Sequence, residues 1–503
     1  MKRPSRSVRA LSLAGLLFLL GLLYPALASR LRPAPRPPSP LALGEADLRQ
    51  GRFYRAERAF RQALGDTGTR ARAAGRLGLL ALLREDDIQA EAQLLVAAQM
   101  MPDDATVWAC LGLLRARRGE QEVASSAWAE SLAQPGPHFL ALGLRGEEEY
   151  RQGAMAAARN DFTALLGEEA PPEWTAWAYL RLGILDVLDD PSSAVAYLQA
   201  AQEAEAGWEG EWVPSPELLY GRPVGERVHR AEELAGLLPA IATLPPAQLA
   251  LAAGQVVLGQ MDPAGAAWLL QEAVALAPDN VPALASLGWA RFSAGQEQPG
   301  LRQLHAALIR APRDPLVHQL LARAYVGRGW ARAARHELER ALELSPDDPV
   351  ILLDLARAAQ AAGDYGEAGR RIEEAYGKSV GTGKTPLYAL LRARFYLDSG
   401  WSLCEQGKSA AEALPLFMPD AGEAWRIQGS VLVGCGRPGE AVVALEKAIG
   451  LDPPSAEGYD ALGLAYLALG QREAAGQAFL EAAAREPWSR WSRHAREWLE
   501  RNW

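Results

Sequence analysis

Residues 377–385, GKSVGTGKT, have the residue types and spacing that come nearest to a phosphate-binding loop. Such a loop has a glycine, four residues and then Gly-Lys-Ser/Thr, so that successive amides and the lysine face one phosphate. The Gly-Lys-Thr at 383–385 requires a glycine at position 378, which is Lys378, and Gly377 comes one place too early. The preceding sequence predicts a helix that Gly377 could end, not the strand that precedes a nucleotide site. We therefore expect a connector here, and a nucleotide-dependent regulator stays as an alternative.

Acidic residues occur in adjacent pairs that could share acid–base chemistry. The pairs are Asp103-Asp104, Asp189-Asp190 and Asp347-Asp348. Each directly precedes a helical pattern, where a carboxylate caps free backbone amides, so capping explains them without a reaction. No residue set has the spacing of a nucleophilic, metal-binding or cofactor site. We predict no catalytic residue, no metal, no cofactor and no enzymatic activity.

The three cysteines have no zinc-binding spacing, and an odd count of distant cysteines argues against a disulfide framework. They are Cys110, Cys404 and Cys435. If the body of the protein is exported, a bridge between Cys404 and Cys435 is an open alternative.

The composition is that of a folded and mainly helical protein. Its 503 residues exceed what one core usually holds, so several domains or an extended array of repeats are expected. Ala and Leu are abundant while Val, Ile and Thr are scarce, which favours helices over sheets. The formal net charge is -9 and the pI is near 5.5, whereas nucleic-acid-binding proteins are more often basic. We therefore predict no nucleic-acid partner.

Residues 1–28 have the features of a signal anchor or a signal peptide. Basic residues precede an uncharged apolar run at 10–28, and a helix of that length spans about 28 Å, close to the thickness of a bilayer core. The basic flank predicts that the N-terminus stays in the cytoplasm and that the body is exported. Ala26 and Ala28 form a candidate cleavage site, whereas the arginines that follow argue against cleavage. A single-pass membrane protein and a cleaved periplasmic or secreted protein are both open.

A proline-rich linker follows at residues 29–40. Five prolines within residues 30–40 exclude a regular helix or a sheet interior, so this stretch should be a stiff polyproline-type spacer. Ser39 and Pro40 have the residue types of a helix start, and we expect the first helix to begin there.

After the linker the chain repeats itself every 34 residues. The last unit has two helical faces that alternate large and small residues and then a proline: Tyr459, Leu462, Gly463, Tyr466, Ala475, Phe479, Ala482 and Pro487. Equivalent places in earlier units are taken by Trp108, Leu111, Gly112, Leu287, Gly288, Trp425 and Gly429. Small residues let the two helices of a unit approach closely, and large residues fill the space between units. We predict that these residues make the packing of the repeats.

This pattern resembles the tetratricopeptide repeat family, which has a bulky residue, Leu-Gly and Tyr on a first helix and Ala, Phe, Ala and Pro on and after a second. The resemblance implies an all-α fold, a solenoid in which antiparallel helix pairs stack into a right-handed superhelix. One apolar N-terminal helix and the proline-rich linker would precede it. It also implies that the first helices line a concave groove for peptides or protein segments, with no small-molecule substrate.

The period divides the chain into segments. They are 1–28, anchor or signal peptide; 29–40, linker; 41–205, first array; 206–246, insertion; 247–380, second array; 381–421, irregular or degenerate repeat; 422–487, third array; and 488–503, capping helix. We expect bends or loops at 206–246 and 381–421. The capping helix would cover the last apolar surface, and an interfacial membrane helix is the alternative.

Five residues of the second array are predicted to face the groove: Trp289, Phe292, Gln319, Arg323 and Arg357. Arg323 and Arg357 are one repeat apart and could receive an acidic side chain or a C-terminal carboxylate, unless they pair with neighbouring acidic residues. The sequence thus favours a non-catalytic protein-binding scaffold at the outer face of a bacterial-type cytoplasmic membrane, attached through the N-terminal helix if it is uncleaved. A cleaved, secreted or periplasmic binding module is the alternative.

Overall fold

A computed structural model describes residues 38–203, 212–220, 226–451, 455–486 and 489–502. Within these ranges the chain is all-α and contains no strand, as the sequence predicts. The segment at 1–28, with Ala26 and Ala28, lies outside the described residues, as do residues 29–37 of the linker and Pro487. Among the described helices, none has both the length and the apolar character that crossing a bilayer requires.

The described residues form twenty-seven α-helices and one π-helical turn. Helices α1–α10 are Pro40–Arg49, Phe53–Ala63, Arg70–Leu83, Asp87–Met100, Ala105–Arg117, Gln121–Ala133, Phe139–Gln152, Met155–Leu165, Pro172–Asp186 and Pro191–Gln202. Helices α11–α20 are Pro216–Leu219, Glu226–Ile241, Pro246–Gly259, Pro263–Leu276, Val281–Ser293, Glu297–Arg310, Pro315–Gly327, Ala331–Leu344, Pro349–Ala361 and Tyr365–Ser379. Helices α21–α27 are Thr385–Ser399, Lys408–Phe417, Gly422–Gly434, Pro438–Leu451, Ala456–Ala468, Arg472–Ala483 and Arg490–Asn502, and the π-helical turn is Leu403–Gly407.

Consecutive helices pack as pairs joined by short turns, and we number these pairs as units. Units 1 to 5 are the five pairs from α1–α2 to α9–α10, and units 6 to 12 are the seven pairs from α13–α14 to α25–α26. Within units 1 to 5 and within units 6 to 12, the second helix of a unit contacts the first helix of the next, and most first helices of neighbouring units also contact each other. First helices therefore crowd together on one side of the array. We call this side the inner face.

Helix starts follow from capping residues that the sequence analysis singled out. The Ser39 side chain accepts a hydrogen bond from the Ala42 amide at 3.2 Å, and Pro40 begins α1. Asp104, Asp190 and Asp348 cap α5, α10 and α19 through their carboxylates, so the capping interpretation of these acidic pairs is confirmed.

Close helix approach within each unit depends on small residues. A Cβ atom added to Gly463 would lie 2.6 Å from the Phe479 ring, and one added to Gly288 would lie 2.8 Å from Leu304. Gly112 and Gly429 face Trp128 and Leu445 in the same way. The other predicted apolar packing positions are buried, namely Leu111, Leu287, Leu462, Ala475, Phe479 and Ala482.

Indole rings at the start of some first helices tie each helix to the preceding turn. Trp108 Nε1 donates to the Pro102 carbonyl and Trp425 Nε1 donates to the Pro419 carbonyl, each at 2.8 Å. In the last unit, Tyr459 and Tyr466 are partly buried against the apolar cluster of α26 and α27.

The two stretches that interrupt the period differ from the expected bends or loops. Residues 385–417 form a helix pair, unit 10, in which the π-helical turn replaces a tight turn and lengthens the connection. The longer connection explains the register slip in the sequence.

Within the insertion, α12 packs against α10 and α13 and bridges units 5 and 6.

The two ends of the solenoid contact each other. Helix α27 packs along α26 and α25, with Ala495 and Leu499 buried against Phe479. Tyr54 of α2 joins this same cluster and is buried, and α2 contacts α26. The first unit therefore packs on the last one.

Candidate protein-binding face

Residues 212–220 of the insertion cover the inner face of units 2 to 5. This segment has no regular structure before the single turn of α11. Its main-chain carbonyl groups accept hydrogen bonds from side chains of three different first helices. The pairs are Arg76 Nη1 to Trp212 at 3.0 Å, Trp174 Nε1 to Pro214 at 3.0 Å and Arg117 Nη2 to Leu219 at 2.5 Å. These bonds go to the main chain, so they hold a polypeptide without reading its side chains.

Aromatic side chains anchor both ends of this segment. The Trp212 ring meets Phe53 edge to face at 5.9 Å. The Tyr220 ring stacks on Trp177 at 6.4 Å, and the Arg151 guanidinium lies 4.2 Å from its centre on the ring face. Burial raises the pKa of the Tyr220 hydroxyl. The inner face of the first array thus holds a stretch of its own chain through hydrogen bonds to its main-chain carbonyls and two aromatic contacts.

On the inner face of units 8 and 9, three predicted groove residues converge on one buried carboxylate. Asp354 is only 3% exposed, and it accepts hydrogen bonds from Gln319 Nε2 at 2.8 Å and Arg323 Nε at 2.7 Å. Arg357 Nη1 donates to its other oxygen at 3.1 Å. The Arg323 and Arg357 side chains remain 29% and 60% exposed. The buried Asp354 carboxylate therefore fixes the orientation of both guanidinium groups, which stay partly exposed to solvent.

The remaining groove candidates lie in unit 7. Trp289 and Phe292 stack with their rings 5.9 Å apart and 15° from parallel. Phe292 is buried against Gly300 and Gly327, and Trp289 stays partly exposed. Gln319 is buried as well, so three of the five candidates, Trp289, Arg323 and Arg357, present surface to a partner.

Residues 377–385 comprise the last turn of α20, the loop at 380–384 and the first residue of α21. Gly377 is inside α20, which ends at Ser379, so the expectation that Gly377 ends this helix is wrong by two residues. The Thr385 hydroxyl is buried and donates to the Ser379 carbonyl at 2.6 Å. Lys378 Nζ pairs with Asp347 at 2.5 Å. A helix precedes this loop where a phosphate-binding loop would follow a strand.

A buried charged cluster, which the sequence analysis missed, joins units 4, 5 and 6. Arg181 donates to both carboxylate oxygens of Glu147, at 2.8 and 2.7 Å, and also pairs with Asp262. Trp177 Nε1 donates to Glu147 at 3.0 Å, and the Tyr150 hydroxyl donates to Asp262 at 3.2 Å. All five side chains of the cluster are buried. The cluster connects the first array to the second.

The cluster sets the protonation of its members. Burial alone would raise the pKa of Glu147, but the charges of Arg181 and Arg151 outweigh burial and hold it below its usual value. Burial and the Asp262 charge raise the pKa of Tyr150 well above its usual value. Glu147 and Arg181 are 34 residues apart, which is one repeat. Two opposite charges at equivalent places of neighbouring apolar helices could therefore have indicated this ion pair from the sequence.

Family models for the tetratricopeptide repeat match residues 257–324, 326–379 and 456–487. These matches cover parts of units 6 and 8, all of units 7 and 9 and all of unit 12. No protein of curated function matches the sequence.

Solved structures with similar folds include yeast Tom70, at 15% identity over 92% of this chain and 96% of that chain, with a TM-score of 0.39. A tetratricopeptide repeat protein from Parabacteroides merdae is 18% identical over 50% of this chain and 97% of its own, with a TM-score of 0.37. Pseudomonas aeruginosa PilF is 16% identical over 42% of this chain and 95% of its own, with a TM-score of 0.34. The repeat assignment itself depends on the family models and on the helix pairing described above. The chain contains tetratricopeptide repeats, stacked as an all-α solenoid.

Proposed function

We propose that this protein is a non-catalytic scaffold that binds an extended segment of a partner protein on the inner face of units 7 to 9. The observation that carries the proposal is the segment at 212–220, which the same chain holds on the inner face of units 2 to 5. The first helices of units 7 to 9 also contact one another along their inner face, so this face offers a comparable surface. Trp289, Arg323 and Arg357 supply the accessible side chains there.

The chemistry of these side chains favours a partner segment with a carboxylate near an apolar residue. Two guanidinium groups share one carboxylate, Asp354, so this patch keeps a net positive charge. Arginine binds a carboxylate through two parallel hydrogen bonds, and orientation by Asp354 reduces the rotamer freedom lost on binding. The Trp289 ring provides an adjacent apolar contact.

The test is site-specific photo-crosslinking in cells with a photoreactive residue in place of Trp289. We expect a discrete crosslinked partner, and we expect Arg357→Glu to reduce the crosslink at least tenfold because the charge at the site reverses. Arg340→Glu is the matched control. Like Arg357, Arg340 pairs with an acid three residues away and is 59% exposed, but it lies on the second helix of unit 8. Equal loss in both variants, or no crosslink at position 289, contradicts the proposal.

We also propose that the solenoid works outside the cytoplasm. A disulfide joins Cys404 and Cys435, and such bonds persist mainly in oxidising compartments. Burial raises the pKa of the Cys110 thiol to about 12, which makes the third cysteine unreactive. The basic, apolar sequence at 1–28 supplies the export signal.

Two measurements test the location and the processing. Protease added to spheroplasts should degrade the solenoid, and degradation that occurs only after lysis would place it in the cytoplasm. N-terminal sequencing separates the two forms, because an intact anchor retains the first residues and a cleaved module begins at Ser29.

A further inference from the structure

The contact between the two ends of the solenoid leaves a cavity of about 580 Å³ that is open to solvent. Its walls come from α2, α3 and α4 on one side and from α27 on the other. Four arginines line it, namely Arg61, Arg84, Arg493 and Arg496, together with the acidic residues Glu57, Glu85 and Asp86. The volume lies within the range of about 300–1,000 Å³ typical of small-molecule sites.

Most carboxylates of this cavity already have hydrogen-bond or ion-pair partners within units 1 and 2. Glu57 pairs with Arg61 at 2.7 Å and with Arg84 at 2.5 Å. The Asp86 carboxylate caps α4 by accepting a hydrogen bond from the Gln89 amide at 3.2 Å, and Glu85 is exposed. The acidic residues therefore balance the charges of α2 and α3 rather than those of α27.

On the opposite wall, Arg496 carries an uncompensated donor. Its Nε is buried and has no hydrogen-bond acceptor among the described residues. Burial and the like charges of Arg84 and Arg493 lower the pKa of Arg496, although Glu57 and Glu500 oppose this. Bringing guanidinium groups together without an anion is unfavourable, and an oxyanion between them would relieve the repulsion.

We propose that this cavity binds a small polyanion with at least two phosphate or carboxylate groups, which links Arg84 of unit 2 to Arg493 and Arg496 of α27. Arginine suits such a ligand because its planar fork donates two parallel hydrogen bonds to one oxyanion. The ligand would join the two ends of the solenoid, and none of the residues that line the cavity belongs to units 7 to 9. This site is thus separate from the proposed partner-binding face.

The test is calorimetric titration of the full-length protein with pyrophosphate and, separately, with citrate, each at constant ionic strength. Saturable binding of both anions supports a general oxyanion site, and binding of one alone assigns the site to phosphates or to carboxylates. We expect Arg493→Gln with Arg496→Gln to weaken binding at least tenfold. Arg501→Gln should leave binding unchanged, because Arg501 lies on the same helix but is 76% exposed and lines no part of the cavity.

A second readout tests whether the ligand bridges the two ends. Pyrophosphate or citrate should slow amide hydrogen exchange in both 87–100 and 490–502. If the double variant fails to fold, Arg493→Gln alone serves, since Arg493 is exposed. The absence of saturable binding to either anion, or unchanged affinity in the cavity variants, overturns the proposal. No partner protein is needed, so this result is independent of the proposed scaffold function.

Discussion

Arg181 is the residue on which the junction between the first and second arrays depends. It is 1% exposed and pairs with Glu147 of unit 4 and Asp262 of unit 6. A buried ion pair adds little over a well-packed apolar core, but removal of one partner leaves the other charges buried without compensation.

We therefore expect Arg181→Ala to destabilise this region by about 3–5 kcal/mol. Urea unfolding followed by circular dichroism should give an earlier transition for the variant. Arg340→Ala, which removes an exposed ion pair, should change stability by about 0–1 kcal/mol. Equal midpoints for the two variants would show that the buried cluster is not structurally important.

Glu147 predicts a pH dependence of stability. Its pKa is lowered in the folded protein, so the unfolded chain binds a proton at higher pH than the folded chain does. The stabilisation by Glu147 is therefore complete above about pH 4.3, the usual value for glutamate, and is lost as the pH falls through the lowered pKa. Urea unfolding of the native protein and of Glu147→Gln between pH 3 and 7 should show a stability difference that shrinks towards acid. A constant difference would contradict this account.

Repeat positions such as Leu462 and Gly463 could be predicted from the sequence because each helix pair needs the same large and small residues. The role of Asp354 could not be predicted in this way. The equivalent positions in units 7 and 8 are Ser286 and Leu320, so the repeat pattern does not require an acidic residue there. Arg323 and Arg357 were predicted to share a site unless they paired with neighbouring acidic residues, and both do pair with an acid, Asp354, whose position was not predicted.

At the scale of helices, Gly463 decides how closely α25 and α26 approach. A methyl group there would lie 2.6 Å from the Phe479 ring, so the helices must separate. The same residue type has a different role in α20, where Gly377 has open space around it.

We expect Gly463→Ala to destabilise the last unit by about 1–3 kcal/mol through overpacking. Gly377→Ala should instead stabilise α20 by about 0.5–1 kcal/mol, because alanine restricts the unfolded chain and favours helix. Thermal unfolding of both variants gives the comparison, with melting temperatures moving in opposite directions. A stabilising Gly463→Ala would mean that the two helices are not in close contact.

The helices of the insertion and of unit 10 were the least predictable elements. The π-helical turn at Leu403–Gly407 shifts the register, so residues 381–421 lose the 34-residue signal although they still form a pair. The segment at 212–220 forms only the single turn of α11 and does not follow the 34-residue repeat. Its position on the inner face follows from contacts with residues as distant as Arg76, which no local pattern reports.

At the scale of the molecule, the first and last units come into contact because the solenoid curves along its whole length. Each unit turns slightly relative to its neighbour, and small rotations add up along the array. The sequence defines which residues pack between neighbours, but not the summed rotation that brings Tyr54 to Leu499.

We expect Tyr54→Ala to open the two ends while each unit stays folded. Truncation of a buried aromatic side chain costs about 3–5 kcal/mol, and here the loss falls largely on the contact between the ends. Small-angle X-ray scattering should show a larger radius of gyration with unchanged helix content. Tyr365→Ala, at a 39% exposed site on α20, is the control and should leave the radius unchanged. An unchanged radius in Tyr54→Ala would mean that other contacts hold the ends together.

The bond between Cys404 and Cys435 also has a mechanical consequence. It joins the π-helical turn of unit 10 to the end of the first helix of unit 11, across a sequence separation of 31 residues. When tension is applied along the chain, about 100 Å of contour length, at roughly 3.3–3.6 Å per residue, cannot be extended. A pulling experiment should record this missing length at one step of the unravelling, and a reductant should restore it.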